Sequence, residues 1–275
     1  MILFAGSLLG VLPLCVASTV LAIPGFEQER PFTPLQMEIE KQRMRLSSTE
    51  LEERRDALTR LGSMHHPDAS RAALAGLGDP VAIVKVTAAG AILSLPADES
   101  ARHLIPLLSD KDEFVRRETA YALGRTRSRT AVSPLVEVLL NDKLDSVRGA
   151  AAVALGEIGD ETAVSPLASV LNPQLGLVAT KRKQKKKKAE NPFVLRAAAR
   201  SLGQIGDRAG LPTLISALQN EQAEADVRRE SAIALAAVGD SSALPALRQA
   251  LTALDPYLSQ AAHEAIRKIQ GSTLP

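Results

Sequence analysis

Apolar residues recur at steps of three and four over most of this chain. The stretch SVRGAAAVALGEIG shows this spacing at Val147, Ala150, Ala151, Ala154, Leu155 and Ile158. An α-helix completes a turn in about 3.6 residues, so positions spaced in this way lie on one face. The pattern therefore predicts a helix that buries one apolar face.

This helical segment occurs several times. Copies at 114–124, 146–156, 193–203 and 226–236 align without gaps, and their leading Val residues are 32, 47 and 33 positions apart. Val84 lies 31 residues before the first of these Val residues, and Leu258 lies 31 residues after the last. A second apolar segment follows each copy and carries a proline, at Pro106, Pro134, Pro166, Pro212 or Pro245. Such a period is typical of helical repeat proteins.

Each repeat is predicted to be two helices joined by a tight turn. Gly159, Gly206 and Gly239 follow the first helix, where glycine readily takes the left-handed conformation that ends helices. The repeated proline suits the first turn of the second helix, where its missing N–H costs nothing. Candidates for the N-caps of the first helices are Asp112, Asp145 and Asp226. One helix pair cannot bury its apolar faces alone, so we expect the copies to stack into an α-solenoid.

The repeat resembles HEAT repeats, and more closely the bacterial subgroup named after phycobilisome lyases. The resemblance rests on D-x-x-V-R, A-A-x-A-L-G-x-I-G-D and A-x-x-P-L between Asp145 and Leu167, and it covers roughly residues 50–270. It implies an all-α, right-handed α-solenoid of about six helical-hairpin repeats. Proteins of this family serve mostly as scaffolds with many different partners. The resemblance thus implies a protein partner, which we expect on a concave face lined by the second helices.

The solenoid is predicted to extend over residues 47–271. Ser47 and Glu50 have the spacing of a capping box before the helix ELEERRDALTRLG. At the other end, PYLSQAAHEAIRKIQ resembles a single first helix that closes the stack. Residues 23–46 are expected to form a linker or an additional cap, with one short charged helix at most.

The first 26 residues carry no charged side chain. An apolar run followed by a polar chain is typical of an export segment, although no Lys or Arg precedes this one. Residues 1–22 are predicted to be a signal peptide, or else residues 1–23 remain as an N-terminal anchor, since about 20 apolar residues can span a bilayer. A lipoprotein signal at Cys15 is a third alternative, but Leu14 occupies the place of a small residue. Each alternative predicts an exported main domain, periplasmic or secreted.

Positive charge is concentrated at one place in the chain. The chain is 45% apolar and 3% aromatic, with a net charge of +2, which does not favour a protein that coats nucleic acid. A block of seven cations nevertheless lies within residues 173–191, at Lys181, Arg182, Lys183, Lys185, Lys186, Lys187 and Lys188. The long interval between Val147 and Val194 places this block in a loop inserted between two repeats.

Two interpretations of the Lys-rich block remain open. It is either a solvated loop without which the solenoid would still fold, or a tether for an anionic surface. Lys and Arg near an anionic membrane contribute about 1 kcal/mol each. A nucleic-acid partner requires that the N-terminal segment is not an export signal.

Other Arg residues are candidates for binding phosphate or carboxylate groups. In RTRSR, Arg125, Arg127 and Arg129 replace the mostly acidic turn found at 157–161 in the next repeat. The alternative is a solvated turn, and we expect it at the opposite edge of the stack from the Lys-rich block. The Arg residues that follow the repeated Val are instead predicted to pair with nearby Asp residues. These are Arg116, Arg148 and Arg228, with Asp112, Asp145 and Asp226 available.

No catalytic, cofactor-binding or metal-binding residue is predicted. The adjacent His65 and His66 form a poor chelate. The single His263-Glu264 pair does not match the deoxyhypusine hydroxylases, a HEAT-fold family that binds two irons through several such pairs. No GxSxG, P-loop or dinucleotide motif is present. We therefore expect a non-enzymatic scaffold; an enzyme subunit of the bilin-lyase type, acting on a tetrapyrrole, is an alternative that rests on resemblance alone.

Overall fold

The computed structural model describes residues 32–172 and 190–271. Over these two ranges the chain forms fourteen α-helices and no strand: α1, six helical hairpins and a terminal helix. They are α1 (Pro34–Arg45), α2 (Leu51–Ser63) with α3 (Pro67–Ala73), α4 (Ala82–Ala91) with α5 (Ala97–Leu104), α6 (Glu113–Thr126) with α7 (Val132–Asn141), α8 (Asp145–Ile158) with α9 (Val164–Leu171), α10 (Pro192–Ile205) with α11 (Leu211–Gln219), α12 (Ala225–Val238) with α13 (Leu244–Ala250), and α14 (Pro256–Gly271). The predicted all-α solenoid is confirmed, while its right-handed sense stays a prediction.

The first helix of each hairpin buries the predicted apolar face. In α8 the fully buried side chains include Val147, Ala150, Ala151, Ala154 and Leu155. The residues that end α8, α10 and α12 are glycines in the left-handed region, with φ of 73° at Gly159 and 75° at Gly206 and Gly239. A short 3₁₀ turn then leads into a second helix with proline in its first turn. The turn chemistry predicted from the repeat is therefore confirmed for these hairpins, but not for Pro106, which lies after α5 in a 3₁₀ turn.

Successive first helices pack closely because small residues meet between them. A Cβ built on Gly124 of α6 would lie 2.8 Å from the Cα of Ala154 in α8. The same contact recurs one hairpin further, where a Cβ on Gly203 would lie 2.7 Å from the Cα of Ala234. Only a residue without a side chain fits at such separations. This explains how the chain forms a dense core without aromatic residues.

The two rows of helices differ in how closely they approach. Contacts between successive first helices, as between α8 and α10, are extensive, whereas contacts between successive second helices, as between α9 and α11, are few. In a curved stack the more closely spaced row lies on the inner side. The first helices therefore line the concave face, and the prediction that the second helices do so is wrong. The reason is the size of the residues: Ala and Gly face the neighbouring repeat on the first helices.

Several predicted helix starts also need correction. Asp112 caps α6 as expected, since its carboxylate accepts a hydrogen bond of 2.8 Å from the N–H of Phe114. Asp145 and Asp226 instead lie inside the first turns of α8 and α12, where they pair with Arg side chains. Ser47 does not cap α2: the N-cap of α2 is Glu50, which makes no side-chain cap bond, and Ser47 lies at the end of α1, where its N–H bonds the carbonyl of Met44. The capping box lies before α1, between Thr33 and Gln36.

Candidate functional site

The first helices have a face that points away from the second helices, and we call this surface the inner stripe. Each of the helices α4, α6, α8, α10, α12 and α14 contributes four side chains to it. Counted from the repeated Val or Leu of the helix, these are the residue one position before and the residues two, six and ten positions after. Steps of three and four keep these positions on one helix face, opposite the second helices. In α6 the stripe consists of Phe114, Arg117, Tyr121 and Arg125. In α10 it consists of Phe193, Arg196, Arg200 and Gln204.

Aromatic residues concentrate on the inner stripe. Of the five aromatic residues in the described ranges, four lie there, at Phe114, Tyr121, Phe193 and Tyr257. The fully buried core consists of Ala, Leu, Val and Ile side chains. Ile233 also lies on the stripe and is 53% exposed, and Tyr257 is 66% exposed. Phe193, Ile233 and Tyr257 thus meet solvent, while Phe114 and Tyr121 are half-buried, Tyr121 against the core.

Arginine side chains lie over two of these rings. The guanidinium of Arg117 is 5.3 Å from the centroid of Phe114, and that of Arg229 is 5.5 Å from the centroid of Tyr257. A cation over an aromatic face is attracted by the negative face of the ring, with a gain of about 0.5–1 kcal/mol at exposed sites. Each pair therefore holds an aromatic ring and a cation together on the surface.

Ion pairs that cross between first helices fix the other Arg residues of the stripe. Arg196 of α10 lies 3.2 Å from Asp226 of α12, and Arg200 donates hydrogen bonds of 2.9 and 2.8 Å to Glu230. The bond to Glu230 raises the pKa of Arg200 above its ordinary value. Arg229 continues the series to Asp255, which precedes α14, at 3.2 Å. These side chains are held in defined positions while part of each guanidinium stays exposed.

On α8 the stripe has one position without a side chain. Gly149 occupies the position that is Arg in α6, α10 and α12, and the ring of Phe193 lies directly on it. A Cβ at Gly149 would be 2.0 Å from that ring, so no side chain can replace the glycine without moving Phe193. The ring of Phe193 from α10 thus occupies the space over α8 that the missing side chain leaves.

The Arg residues after the repeated Val have structural partners, as predicted, although not all the predicted ones. Arg116 donates a hydrogen bond of 2.8 Å to Asp142 rather than to Asp112, and this bond raises its pKa. Arg148 binds Asp145, as expected, and also Glu190. Arg228 donates to the carbonyl of Leu218 and not to Asp226. Asp142 and Glu190 precede the next first helix, so the bonds from Arg116 to Asp142 and from Arg148 to Glu190 each join two repeats.

The basic turn RTRSR is divided between two surfaces. Arg125 is in the last turn of α6 and belongs to the inner stripe. Arg127 ends the helix with a φ of 54°, in the place that Gly159 occupies in the next repeat. Arg129 is 85% exposed and lies 3.4 Å from Asp160, while Ser128 donates a hydrogen bond to Asp98. Acidic residues of both neighbouring turns therefore approach this turn. Its binding of an anion stays a prediction.

The other sequence-predicted groups add no further site. Lys181, Arg182, Lys183, Lys185, Lys186, Lys187 and Lys188 lie outside the described residues. His66 caps α3 through its Nδ1, which accepts from the N–H of Asp68. Within residues 32–172 and 190–271 no group of acidic, His or Cys side chains could hold a metal ion. No helix in these ranges is long and apolar enough to cross a bilayer.

Sequence reasoning identified Arg125 but missed the rest of the inner stripe. The missing signal was available in the aligned repeats. Reading the alignment by columns places Phe114, Phe193 and Tyr257 one residue before the repeated aliphatic position. A column of aromatic residues on the polar side of amphipathic helices marks a surface that packing does not require.

Comparisons with known proteins agree with the fold. The HEAT-repeat model matches residues 101–180 and 182–267, more than half of the chain. A search of curated proteins found no match to this chain. Escherichia coli YibA is 19% identical over 86% of this chain and 82% of its own, with a TM-score of 0.54. The CpcE–CpcF complex of phycocyanin lyase from Nostoc sp. PCC7120 is 22% identical over 91% of this chain and 95% of that chain, with a TM-score of 0.49.

Human deoxyhypusine hydroxylase is 19% identical over 86% of this chain and 96% of its own, with a TM-score of 0.41. At these identities the similarity concerns the fold alone. The repeat pattern, the stacked helical hairpins and the family match agree. The chain belongs to the HEAT-repeat family.

Proposed function

We propose that this protein is a non-enzymatic scaffold that binds a protein partner through the inner stripe. The observation that carries the proposal is that Phe114, Tyr121, Phe193 and Tyr257 all lie on this face, two half-buried and two exposed, and that none is fully buried. Tyr, Phe and Arg are enriched in protein–protein interfaces, where a few of them supply most of the binding energy. All three residue types lie on the stripe of α6, and Phe and Arg lie on that of α10.

The stripe is also arranged before any partner arrives. Immobilising a long side chain at an interface costs roughly 0.5–1.5 kcal/mol. Arg196, Arg200 and Arg229 are already held by ion pairs, and Arg117 lies over Phe114. Much of this ordering cost is therefore met by folding, which favours binding.

Site-specific photo-crosslinking in the source cells tests the proposal. A benzophenone amino acid is placed at Ile233 on the stripe or, as a control, at the exposed Glu137 of the second helix α7. We expect a discrete adduct from Ile233 and none from Glu137. In addition, Arg200→Glu should abolish the adduct, because it reverses a charge of the stripe. Adducts of equal yield at both positions, or none from Ile233, would contradict the proposal.

We further propose that residues 1–22 direct the protein out of the cytoplasm. The proposal rests on the absence of charge from the first 26 residues. Fusion of residues 1–30 to a reporter enzyme that is active only outside the cytoplasm should give activity. An inactive reporter would exclude export and would make nucleic acid a candidate for the anionic surface.

A further inference from the structure

The terminal helix α14 differs from α4, α6, α8, α10 and α12 on the side where a next first helix would pack. Five residues after the repeated aliphatic position, the earlier helices have a buried alanine, at Ala89, Ala120, Ala152, Ala199 and Ala232. In α14 this position is the exposed His263. Four residues further, where α6, α8 and α10 have a buried glycine, α14 has the exposed Arg267. Large polar side chains therefore prevent another first helix from stacking there.

The side of α14 that would face a second helix is different, because it remains apolar. Eight residues after the aliphatic position, five earlier helices have a fully buried residue, at Ile92, Leu123, Leu155, Leu202 and Leu235. In α10 this side chain is covered by the chain that leads into its own second helix: a Cβ on Gly210 would lie 3.3 Å from Leu202. The equivalent Ile266 of α14 is only half-buried, and no described helix follows it.

An open groove of about 710 Å³ lies at this place, between α13 and α14. Its apolar floor includes Ile266 and Leu251. Arg248, His263 and Arg267 line it as well, and none of the lining residues is acidic. These three side chains form no ion pair with any residue in the described ranges. The groove thus combines an apolar floor with the uncompensated positive charges of Arg248 and Arg267.

We propose that this groove binds an amphipathic α-helix of a protein partner, with its apolar face on Ile266 and Leu251 and acidic side chains beside Arg248, His263 and Arg267. The partner helix would take the position that a second helix occupies in each hairpin. An apolar face flanked by charges that complement the groove is the usual form of helix-in-groove recognition. This site is separate from the inner stripe, so either proposal can fail without the other.

The second helices of the chain supply a defined probe. The peptide Thr130–Asp142 contains α7, with an apolar face and two acidic residues, Glu137 and Asp142, and it has no basic residue. The matched control peptide has both acids replaced by Lys. Binding of each labelled peptide to the full-length chain is measured by fluorescence anisotropy at low and high salt. We expect the acidic peptide to bind at least tenfold more tightly than its control, and salt to reduce this difference.

Protein variants then locate the site. Arg248→Glu combined with Arg267→Glu should weaken the acidic peptide at least tenfold. The control is Arg102→Glu with Lys143→Glu, which changes net charge equally at exposed positions outside the groove. Equal affinity of the two peptides, absence of binding at millimolar peptide, or an equal loss in the control variant would overturn the proposal. The proposal would also be overturned if the chain self-associates and the groove variant abolishes this self-association, because the occupant would then be a second copy.

Discussion

The guanidinium of Arg148 binds the carboxylate of Glu190, which lies 42 residues further along the chain, with a bond of 2.7 Å from one of its terminal nitrogens. The corresponding pairs of the preceding repeats, Arg54–Asp79, Lys85–Asp110 and Arg116–Asp142, join residues 25 or 26 positions apart. The interval is longer here because the insertion with the Lys-rich block lies between the partners. Glu190 lies two residues before α10, within one position of the place where each of these earlier repeats has its acid.

Removal of Glu190 should therefore destabilise the fold. The side chain of Arg148 is 3% exposed, and in Glu190→Gln it would lose one of its two carboxylates. Breaking a buried ion pair from one side costs about 3–5 kcal/mol, and the remaining bond to Asp145 should reduce this to about 2–3 kcal/mol. Arg129→Gln is the control, because that exposed pair should contribute less than about 1 kcal/mol. Urea denaturation measures both values; equal effects would show that the Arg148 pair has no special role.

These ion pairs show which parts of the structure could be predicted from the sequence and which could not. The period of the apolar positions predicted the helices, the turns and the place of the insertion, because these depend on local spacing. The partner of Arg116 was not predictable in this way. Asp112 is nearer in sequence, but it is occupied as the N-cap of α6, and Asp142 reaches Arg116 only once two repeats are stacked. The inner stripe was missed for a different reason: its aromatic column, Phe114, Phe193 and Tyr257, becomes visible only when the repeats are compared position by position.

Glycine positions on the first helices provide a test of that close packing. Gly203→Ala should destabilise the protein by about 1–3 kcal/mol, because the added methyl would contact the backbone of Ala234 and separate α10 from α12. Gly90→Ala in α4 is the matched control: nothing lies within 4 Å of the new Cβ, and the change should stabilise the helix by up to about 1 kcal/mol. Thermal and urea denaturation should give shifts of opposite sign. A stabilising Gly203→Ala would refute the packing argument.

Arg127 holds a conformation that favours glycine. Its φ of 54° is left-handed, and the equivalent turns of the next three repeats have glycine. Arg127→Gly should therefore raise the free energy of unfolding by about 0.5–1 kcal/mol. In the reciprocal variant, Gly159→Ala, a loss of about 1 kcal/mol is expected, since its φ is 73°. If Arg127→Gly is destabilising instead, the Arg127 side chain must make a contact that offsets the backbone strain.

Acid should weaken the turns between first and second helices. Hydrogen bonds from the side chain and the N–H of Thr162 lower the pKa of Asp160, and bonds from the N–H and the side chain of Ser242 lower that of Asp240. A carboxylate with a lowered pKa stabilises the folded state above its unfolded pKa, about 4, and this contribution is lost as pH falls through the folded value. Stability should thus decline below about pH 4. The urea midpoint is measured as a function of pH for the double variant Asp160→Asn with Asp240→Asn, and it should fall less steeply in acid than that of the unchanged protein. An equal slope would show that these two turns are not the source of the acid destabilisation.

Deletion of residues 181–188 separates the two interpretations of the Lys-rich block. The chain on either side is held independently, by Arg148 with Glu190 and by a hydrogen bond of 2.8 Å from Asn172 to Ser216. Loop-closure entropy changes slowly with loop length, so the deletion should change the free energy of unfolding, measured by urea denaturation, by less than about 0.5 kcal/mol. If the block is a tether, the intact chain should bind vesicles containing anionic lipid at low salt and release them at high salt, and the deleted chain should not bind. Vesicle binding that survives the deletion would assign the attraction to another surface, and the exposed Arg129→Glu variant would then test the basic turn.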